Sequence, residues 1–540
     1  MPIFNYTVMK KIISILLLVS ICAFGKNPTP KLIVFISIDQ MRADYFERYN
    51  QYFTGGFHRL YSKGIMFSNA DLNYAASETG PGHATLGTGC YPWKSGILSN
   101  EWVEEQTLND MYCVSDSTAN PVDSVGGGFS PRNLVVTAIG DWLKQQSPKS
   151  KVITASTKDR AAILMGGKNA DYAFWYDRTI DGMVTSDYYT KTLPQWVKTF
   201  NASQWSEKNV PAQWTKTLAD SEYLKIGPDE FAAEAKRKNT TTFPHTFTLG
   251  KKAEEISGTP YGDKIIVDFA MDAVKNEKLG QRNVTDLLCI SLSNCDYIGH
   301  AQGPDSHEML DLLVNVDRYL GELFTYLDNN IGKDNYVVAL SADHAVCPLP
   351  EFNSQFRNVA AKRYISATDI KPKIEKFNSM FKKELNSPDD ILIKNAFINY
   401  SAGAKAGLDS IQLEEKVKAG LLSVEAYVDI YFRRELITRK KSDKMFIEKY
   451  RNSYYAPRGK DYLYRIRENC IISSRSSGTT HGSPYPYDTH VPLIFWWNSA
   501  IPKKITREVH TADAAPTLAK FAGFPFPKNL DGVSLNEVVN

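Results

Sequence analysis

The hydrophobic pattern of the chain is dominated by short segments in which almost every residue is apolar. Such a run is typical of a strand in a parallel sheet covered by helices on both faces, because neither side of the strand then meets water. Five segments fit this description, at residues 31–38, 151–155, 286–292, 336–340 and 491–497. The pattern therefore predicts a buried, mostly parallel central sheet.

Helical patterns lie between these predicted strands. Ser130 and Pro131 supply an N-cap and a first-turn proline, and an apolar face follows at Leu134, Ala138, Trp142 and Leu143. A longer helix after residue 300 places apolar residues at helical spacing, at Leu310, Leu313, Val316, Leu320, Phe324 and Leu327. Alternating strands and helices predict an α/β fold with a doubly wound sheet flanked by helices.

Two long segments interrupt this alternation. Residues at about 164–262 hold four tryptophans between polar loops, and we interpret them as a cap inserted over the site. A separate carbohydrate-binding module is the alternative. Residues at about 350–469 form a second insertion with a helical pattern near 413–423 and basic residues at 433–441, which we interpret as a solvated face. One catalytic domain of residues 26–540, carrying two inserted subdomains, is predicted.

The N-terminus resembles an export signal. Lys10 and Lys11 precede an apolar run at 12–24, which is too short to span a bilayer, and Ala23-Phe24-Gly25 fits a cleavage site. This predicts a signal peptide of residues 1–25 and a periplasmic or secreted mature protein with no stable membrane association. An uncleaved anchor is the alternative. Cys22 does not indicate a lipoprotein, because the preceding Ile21 is too bulky.

The charge of the chain limits the classes of partner that it is expected to bind, and its cysteine content limits the disulfides that it could form. The chain has 63 basic and 60 acidic residues and a net charge of +3, a balance that argues against nucleic acid as its natural partner. We expect a monomer that acts on small molecules. Six cysteines remain after signal cleavage and permit disulfides in an exported chain, with Cys90 and Cys113 the most local pair. Their connectivity stays open.

Carboxylate and imidazole side chains cluster at four strand ends. The carboxyl ends of strands in open α/β sheets are where ligands bind, and oxygen and imidazole ligands suit zinc. Asp296 and His300 are separated by about one helical turn, so their side chains can converge on one metal ion. Each of these residues alone is only a weak indication of a metal site, and Asp39 could equally cap a helix. Together they predict two metal sites, built from Asp39, Asp296, His300, Asp343, His344 and His481.

A glycine-rich segment at residues 74–102 predicts an anion site. Thr79 precedes Gly80-Pro81-Gly82, where a helix could begin and its N-terminal amides would favour an anion. Asn100 could donate to the same anion. By itself the segment is only a plausible site, because most threonines beside glycines form turns. Lys158 and Arg160, after the second predicted strand, would alone be interpreted as a surface charge cluster.

Together these motifs resemble the alkaline phosphatase superfamily, which includes nucleotide pyrophosphatase/phosphodiesterases and sulfatases. The resemblance covers nearly the whole mature chain, and residues 158–160 look like the flavobacterial PafA-type phosphomonoesterases. Residues 94–97 (KSGI) depart from the His-Gly-Ile of many relatives without removing an expected ligand. The motifs are residues 38–42 (IDQMR), 78–83 (ETGPGH), 99–102 (SNEW), 156–160 (STKDR), 296–300 (DYIGH), 342–344 (ADH), 480–482 (THG) and 513–517 (DAAPT).

The resemblance implies a mechanism and a residue set. It implies hydrolysis of small-molecule phosphate monoesters through a covalent phosphothreonine at Thr79, with non-bridging oxygens held by Asn100, Lys158 and Arg160. It also implies two Zn²⁺ ions. One would be held by Asp296, His300 and His481, and the other by Asp39, Asp343, His344 and the Thr79 oxygen.

Three alternatives remain beside the phosphomonoesterase. A phosphodiesterase or nucleotide pyrophosphatase could use the same two metals, but Lys158 and Arg160 favour the dianion of a monoester. A sulfatase needs a cysteine or serine that is converted to formylglycine, and residues 78–81 offer none. A non-catalytic exported binding protein is disfavoured because Thr79 and every expected ligand are present.

Overall fold

The computed structural model of the chain describes residues 29–394 and 396–539, so the predicted signal peptide lies outside the described residues. Eleven strands in this part form one central sheet. In chain order they are β1 (Leu32–Ile38), β2 (Ile65–Asp71), β3 (Pro121–Val122), β4 (Val152–Ser156), β5 (Tyr172–Asp177), β6 (Gly182–Ser186), β7 (Asp286–Leu292), β8 (Tyr336–Ser341), β9 (His490–Trp496), β10 (Lys503–Ile505) and β11 (Val509–His510).

The strand order makes the middle of the sheet parallel. It runs β10–β2–β9–β8–β1–β7–β4–β5–β6–β3, with β11 also paired to β2. The five neighbours β8, β1, β7, β4 and β5 are parallel to one another. Strand β9 is antiparallel to both of its neighbours, β8 and β2. The predicted fold class, an α/β fold with a mostly parallel central sheet flanked by helices, is confirmed.

Strand β1 is apolar throughout because helices cover both of its faces. Val34 and Ile36 join the hydrophobic cluster that contains α4 and α6, whereas Ile33 and Phe35 join the cluster with α2 and α7. All four side chains are fully buried, which is worth roughly 1.5–3 kcal/mol for each relative to exposure. The helices named here are α1 (Thr79–Thr88), α2 (Ile139–Gln146), α3 (Asp159–Gly166), α4 (Pro260–Glu277), α5 (Asn294–Gln302), α6 (His307–Asn330) and α7 (Ala514–Ala522).

Shorter helices complete the layers and the two insertions. Those of the core and the first insertion are Tyr45–Tyr49, Gly56–Lys63, Pro92–Ser95, Gln195–Asn201, Trp205–Asn209, Asp220–Tyr223 and Lys252–Glu255. Those that follow α6 are Pro350–Phe356, Lys371–Glu384, Tyr400–Lys405, Ser410–Leu422, Arg433–Ile437, Ile447–Ser453, Pro486–Thr489 and Asn536–Val539.

The predicted helix beginning at Ser130 is shorter than expected. Ser130 caps only a 3-10 turn at Pro131–Asn133, accepting from the Arg132 amide at 3.1 Å. The chain is then extended, and α2 begins at Ile139, where the Asp141 carboxylate accepts from the Ala138 amide at 2.8 Å. A second local cap thus outcompetes the first, and the apolar residues before it pack from an extended segment.

The first of the two interrupting segments contributes strands to the central sheet, whereas the second forms separate pairs of strands. The first contributes β5 and β6, so the chain leaves the sheet only after Ser186; we propose that the inserted part begins there. The second has its own hydrophobic cluster, which includes Tyr364, Leu413, Ile430 and Cys470. It also carries paired strands, at Lys362–Ile365 with Cys470–Ser473, Leu392–Ile393 with Phe397–Ile398, and Tyr427–Phe432 with Tyr462–Ile466. We propose that it is a separate subdomain.

The structure shows whether the cysteines form disulfides and whether a described helix could cross a membrane. All six described cysteines are buried free thiols, so the disulfides that the sequence permits do not form, and Cys90 is not bonded to Cys113. Burial raises the pKa of the Cys90 thiol to about 11. Within residues 29–394 and 396–539, no helix combines the length and apolar character needed to cross a membrane.

Candidate active site

Three acidic and imidazole side chains form a fully buried group at the ends of two adjacent strands. Asp39 follows β1, and Asp343 and His344 follow β8, which pairs with β1. None of the three has any solvent exposure. The His344 Nε2 atom lies 3.5 Å from Asp39 Oδ1 and 3.5 Å from Asp343 Oδ2. Their ligand atoms lie close enough together to hold one metal ion. We call these residues the buried group.

A second group lies beside the first and reaches the surface. Asp296 and His300 lie one turn apart on α5, and the Asp296 Oδ1 atom is 3.2 Å from His300 Nε2 and 3.6 Å from His481 Nε2. The side chain of His300 is 36% exposed and that of His481 is 8% exposed. Asp296 and His481 could hold a metal ion together with His344. We call Asp296, His300 and His481 the half-exposed group.

Backbone carbonyls orient all three histidines in the same way. The Nδ1 atoms of His300, His344 and His481 face the carbonyl oxygens of Thr479, Ala345 and Ser77 at 2.9, 3.0 and 2.5 Å. An Nδ1–H donating to a carbonyl leaves Nε2 as a lone pair, the state in which imidazole binds metal. The His300 and His481 Nε2 atoms approach to 3.2 Å. Two facing lone pairs at that distance repel unless a cation lies between them.

Unpartnered buried atoms also fit a metal centre. Asp39 Oδ1, Asp343 Oδ2 and His344 Nε2 are buried and have no hydrogen-bond partner in the described part of the chain. Leaving such atoms unpaired costs about 1–3 kcal/mol each, more when charged. Oxygen and imidazole donors in these numbers are those that zinc takes. The residues present therefore fit metal ions at both groups.

Electrostatics keep the imidazoles of His344 and His481 neutral. Burial lowers the pKa of His344 to about 4, with nearby carboxylates opposing it, and burial together with His344 lowers the pKa of His481 to about 4. Burial also raises the pKa of Asp39 to about 6, with Asp343 adding to the rise. At neutral pH both histidines are thus ready to act as ligands without first losing a proton.

Thr79 is the first residue of α1 and is nearly buried. Its Oγ1 accepts from Arg160 Nη2 at 3.3 Å. A Cβ added to Gly82 would lie 2.4 Å from the Asp343 carbonyl oxygen, so glycine is needed there for α1 to approach the end of β8. The Asn100 Oδ1 atom accepts from the Gly80 amide at 2.7 Å, which fixes the Asn100 side chain against the same helix start.

Lys158 and Arg160 are part of this centre rather than a surface charge cluster. The Lys158 ammonium donates to Asp39 Oδ2 at 2.7 Å and to Asp296 Oδ2 at 2.6 Å, so it joins one carboxylate from each group. Arg160 also donates to the Tyr112 hydroxyl at 3.3 Å. Burial lowers the pKa of the Lys158 ammonium, but the carboxylates of Asp296 and Asp39 raise it by more. The pKa of Lys158 is therefore raised above its usual value. The structure thus brings together all ten residues that the sequence nominated.

Three further residues hold these groups in place, and sequence reasoning assigned two of them, Gln40 and Tyr112, no role in the site. Gln40 donates from Nε2 to Asp296 Oδ1 at 2.6 Å and from its backbone to Asp343 Oδ1 at 3.0 Å. His83 contacts the Thr79 carbonyl at 2.9 Å, and Tyr112 donates to Asp159 at 2.5 Å. Gln40 is adjacent to Asp39, and that adjacency was its only signal. Tyr112 gave none, because its partner is 47 residues away.

Comparison with known proteins identifies a matching family and related proteins that align with nearly the whole chain. Residues 33–418 match the model of the family described as type I phosphodiesterase / nucleotide pyrophosphatase. The chain is 33% identical over 536 residues to a protein named calcium-transporting ATPase from Myroides odoratus, with 96% of each chain covered. It is 32% identical over 540 residues to alkaline phosphatase PafA from Elizabethkingia meningoseptica, with 95% of each covered.

The fold agrees with a solved structure over nearly the whole chain. The crystal structure of wild-type alkaline phosphatase PafA matches with a TM-score of 0.88 at 30% identity, covering 96% of this chain and 100% of that one.

Proposed function

The chain belongs to the type I phosphodiesterase / nucleotide pyrophosphatase family, and from that premise we propose that it is an exported, zinc-dependent alkaline phosphatase. It hydrolyses small-molecule phosphate monoesters through a covalent phosphothreonine at Thr79. The proposal follows the alkaline phosphatase relatives, whose matches cover 95–96% of this chain. The observation that carries it is that Thr79 begins α1, whose Gly82 packs against Asp343 of the buried group, with the Thr79 hydroxyl 3.3 Å from an arginine.

The residues divide the chemistry between them. A zinc pair held by the two groups would supply Lewis acidity and neutralise charge as phosphorus is attacked. The Thr79 oxygen would form a bond to phosphorus as the bond to the leaving-group oxygen breaks, and water would later release phosphate from the threonine. Arg160, with its planar fork, and Asn100 would hold non-bridging oxygens of the transferred group. Lys158 would add a second positive charge.

The second candidate is a phosphodiesterase or nucleotide pyrophosphatase, which the description of the matching family favours. A diester carries one negative charge at phosphorus and a monoester carries two. Lys158 and Arg160 therefore favour the monoester, since Arg160 places a positive charge beside Thr79 and Lys158 places one between Asp39 and Asp296. A non-catalytic binding protein would need neither a nucleophile nor these charges.

Two measurements separate these functions. Second-order rate constants would be compared for a phosphate monoester and its methyl diester, and the phosphoenzyme would be trapped by acid quench. We expect preference for the monoester and a covalent phosphate that is absent from Thr79→Ala. Faster diester turnover would select the phosphodiesterase, and metal content without any turnover would select the binding protein. Export is tested separately by the N-terminus of the secreted protein, which we expect near Lys26.

A further inference from the structure

Tyr112 belongs to the hairpin that directly follows Asn100. Its strand, Asp110–Tyr112, pairs antiparallel with Glu101–Val103. At the open end of the hairpin the Cys113 amide donates to the Asn100 carbonyl at 2.9 Å. Asn100 and Tyr112 therefore lie side by side at that end, and the backbone holds them in a fixed relation.

The Tyr112 hydroxyl bridges a carboxylate and a cation at the start of α3. It donates to Asp159 Oδ1 at 2.5 Å and accepts from Arg160 Nη1 at 3.3 Å. Burial raises the pKa of the Tyr112 hydroxyl, and Asp159 adds to the rise, so the proton remains available for the bond to Asp159. The lone pairs of the hydroxyl oxygen are left for the guanidinium.

Arg160 directs its two terminal nitrogens to two different hydroxyl groups. Nη1 donates to Tyr112, and Nη2 donates to Thr79 Oγ1 at 3.3 Å. Because the guanidinium is a rigid planar fork, fixing one nitrogen sets the direction of the other. Among the described residues no ion pair joins Arg160 to Asp159, although both contact the same hydroxyl. Tyr112 therefore keeps the guanidinium directed at Thr79 and apart from the neighbouring carboxylate.

The Tyr112 ring is held by contacts that do not involve its hydroxyl. The ring centre lies 5.8 Å from that of Phe129 in an edge-on arrangement, and Phe129 packs edge-on against Trp175 at 6.0 Å. The Asn133 side chain donates to the carbonyl of the adjacent Cys113 at 3.2 Å. Replacing Tyr112 by phenylalanine would thus remove the hydroxyl and retain the packing of the ring.

We propose that Tyr112 is a positioning residue, which holds the Arg160 guanidinium against Thr79 by preventing it from pairing with Asp159. The inference rests on the proposed function, in which Arg160 holds a non-bridging oxygen of the transferred group. Without the hydroxyl, Asp159 loses a donor and Arg160 loses an acceptor, and the two opposite charges attract each other directly. The loss is larger for a monoester than for a diester, because the second negative charge at phosphorus depends more on Arg160.

The test measures kcat/KM for phenyl phosphate and for its methyl diester in the wild-type enzyme and in Tyr112→Phe. We expect kcat/KM to fall about tenfold for the monoester and less for the diester, since one hydrogen bond to a charged group is lost. In an Arg160→Ala background the same substitution should change neither value, because Tyr112 acts through Arg160. Adding Asp159→Asn to Tyr112→Phe should restore most of the monoester rate, because the competing carboxylate is then gone.

The control is Tyr188→Phe, which removes an exposed hydroxyl that donates to the Lys168 carbonyl at 2.9 Å. It should keep the wild-type rate constants for both esters. Thermal unfolding of each variant shows whether the fold is retained. Binding of inorganic phosphate, followed by calorimetry in the same variants, measures the coupling between Tyr112 and Arg160 without turnover, and we expect Tyr112→Phe to weaken it only where Arg160 is present.

Three results would overturn the proposal. If Tyr112→Phe has the same effect with and without Arg160, Tyr112 has a purely structural role. Equal falls for both esters, or no recovery on adding Asp159→Asn, would likewise contradict it. Failure of the proposed function has its own signature, since the wild-type enzyme would then form no phosphoenzyme or would prefer the diester, while the phosphate-binding measurements would still report whether Tyr112 acts through Arg160.

Discussion

The buried and half-exposed groups contain the same kinds of side chain but are built differently. Asp39, Asp343 and His344 follow two paired parallel strands and have no solvent exposure. The half-exposed group combines a helix, α5, with a loop at His481 that follows the second insertion, and more than a third of the His300 side chain is exposed. One group is thus positioned by the sheet, whereas the other depends on how distant segments pack.

The first insertion supports the half-exposed group. The Ala235 amide donates to the Ala301 carbonyl at 2.8 Å, next to His300. The Gly478 amide donates to the Ala233 carbonyl at 2.8 Å, and the Thr479 amide donates to the His300 carbonyl at 2.9 Å. Residues 233–235 therefore connect the helix with the loop that bears His481. The difference teaches that a preformed buried site can be joined to an accessible one whose shape depends on inserted segments.

The largest expected effect separates the two groups by mutation. Asp343→Asn should lower kcat/KM on the order of 10³-fold or more, because a buried carboxylate has no water to replace it. His300→Ala should lower it only about 10–100-fold, since water can take the exposed position. Rate constants and metal content per chain are the measurements. Equal losses in the two variants would contradict the distinction between the groups.

The second prediction concerns Lys158, which contacts a carboxylate of each group, and Arg160, which contacts Thr79. Replacing both Lys158 and Arg160 by alanine should lower kcat/KM for a monoester about 10²–10³-fold, and for its methyl diester much less. The reason is that a monoester brings two negative charges to these cations and a diester brings one. Parallel kinetics on both esters provide the check. If both esters lose rate equally, Lys158 and Arg160 serve only to hold the two groups together.

A third prediction concerns the order of metal loss. Brief treatment with a chelator should remove about one metal equivalent quickly, from the half-exposed group, and the second slowly, because chelator and water reach His300 first. Metal content and activity would be followed over time. This fast phase should be faster still in His300→Ala, because that variant holds the ion with one protein ligand fewer. Release of both ions in a single phase would show that exposure does not distinguish the groups.

The smallest effect tests the support beneath the half-exposed group. Burial, with Glu308 and Asp229, raises the pKa of Glu234 from 4.5 in the unfolded chain to about 10. Between these values the folded state holds a proton that the unfolded state has lost, so stability falls as pH rises and is fully retained only below about pH 4.5. Glu234→Gln should therefore be more stable than the wild type by about 1–3 kcal/mol at pH 9.

Urea unfolding at pH 5 and pH 9 measures this difference. Exposed Glu230 provides a control, since Glu230→Gln should follow the wild-type pH dependence. If Glu234→Gln shows the same fall in stability as the wild type, Glu234 is already ionised in the folded state, and residues 233–235 are not a source of pH sensitivity.

Much of the fold and the site was predictable from the sequence, for a local reason. Runs of apolar residues and helical spacing report which faces are buried, and they correctly predicted β1, β7, β8 and the long helix α6. The site residues followed from chemistry at strand ends, because parallel strands bring their carboxyl ends to one edge. Asp39 and Asp343 lie at the ends of the paired strands β1 and β8, as this rule predicts.

Other features depended on residues far apart in the chain, and only the tertiary structure decided them. The 3-10 turn at Pro131–Asn133 replaced a predicted helix start, and β5 and β6 joined the sheet from a segment that looked like an insertion. The sequence by itself determined the central parallel strands, the long helix α6 and the candidate ligand residues. Which loop brings His481 beside Asp296 was decided by long-range packing. The physical reason is that periodicity reports burial, whereas convergence of distant loops depends on contacts that leave no local pattern.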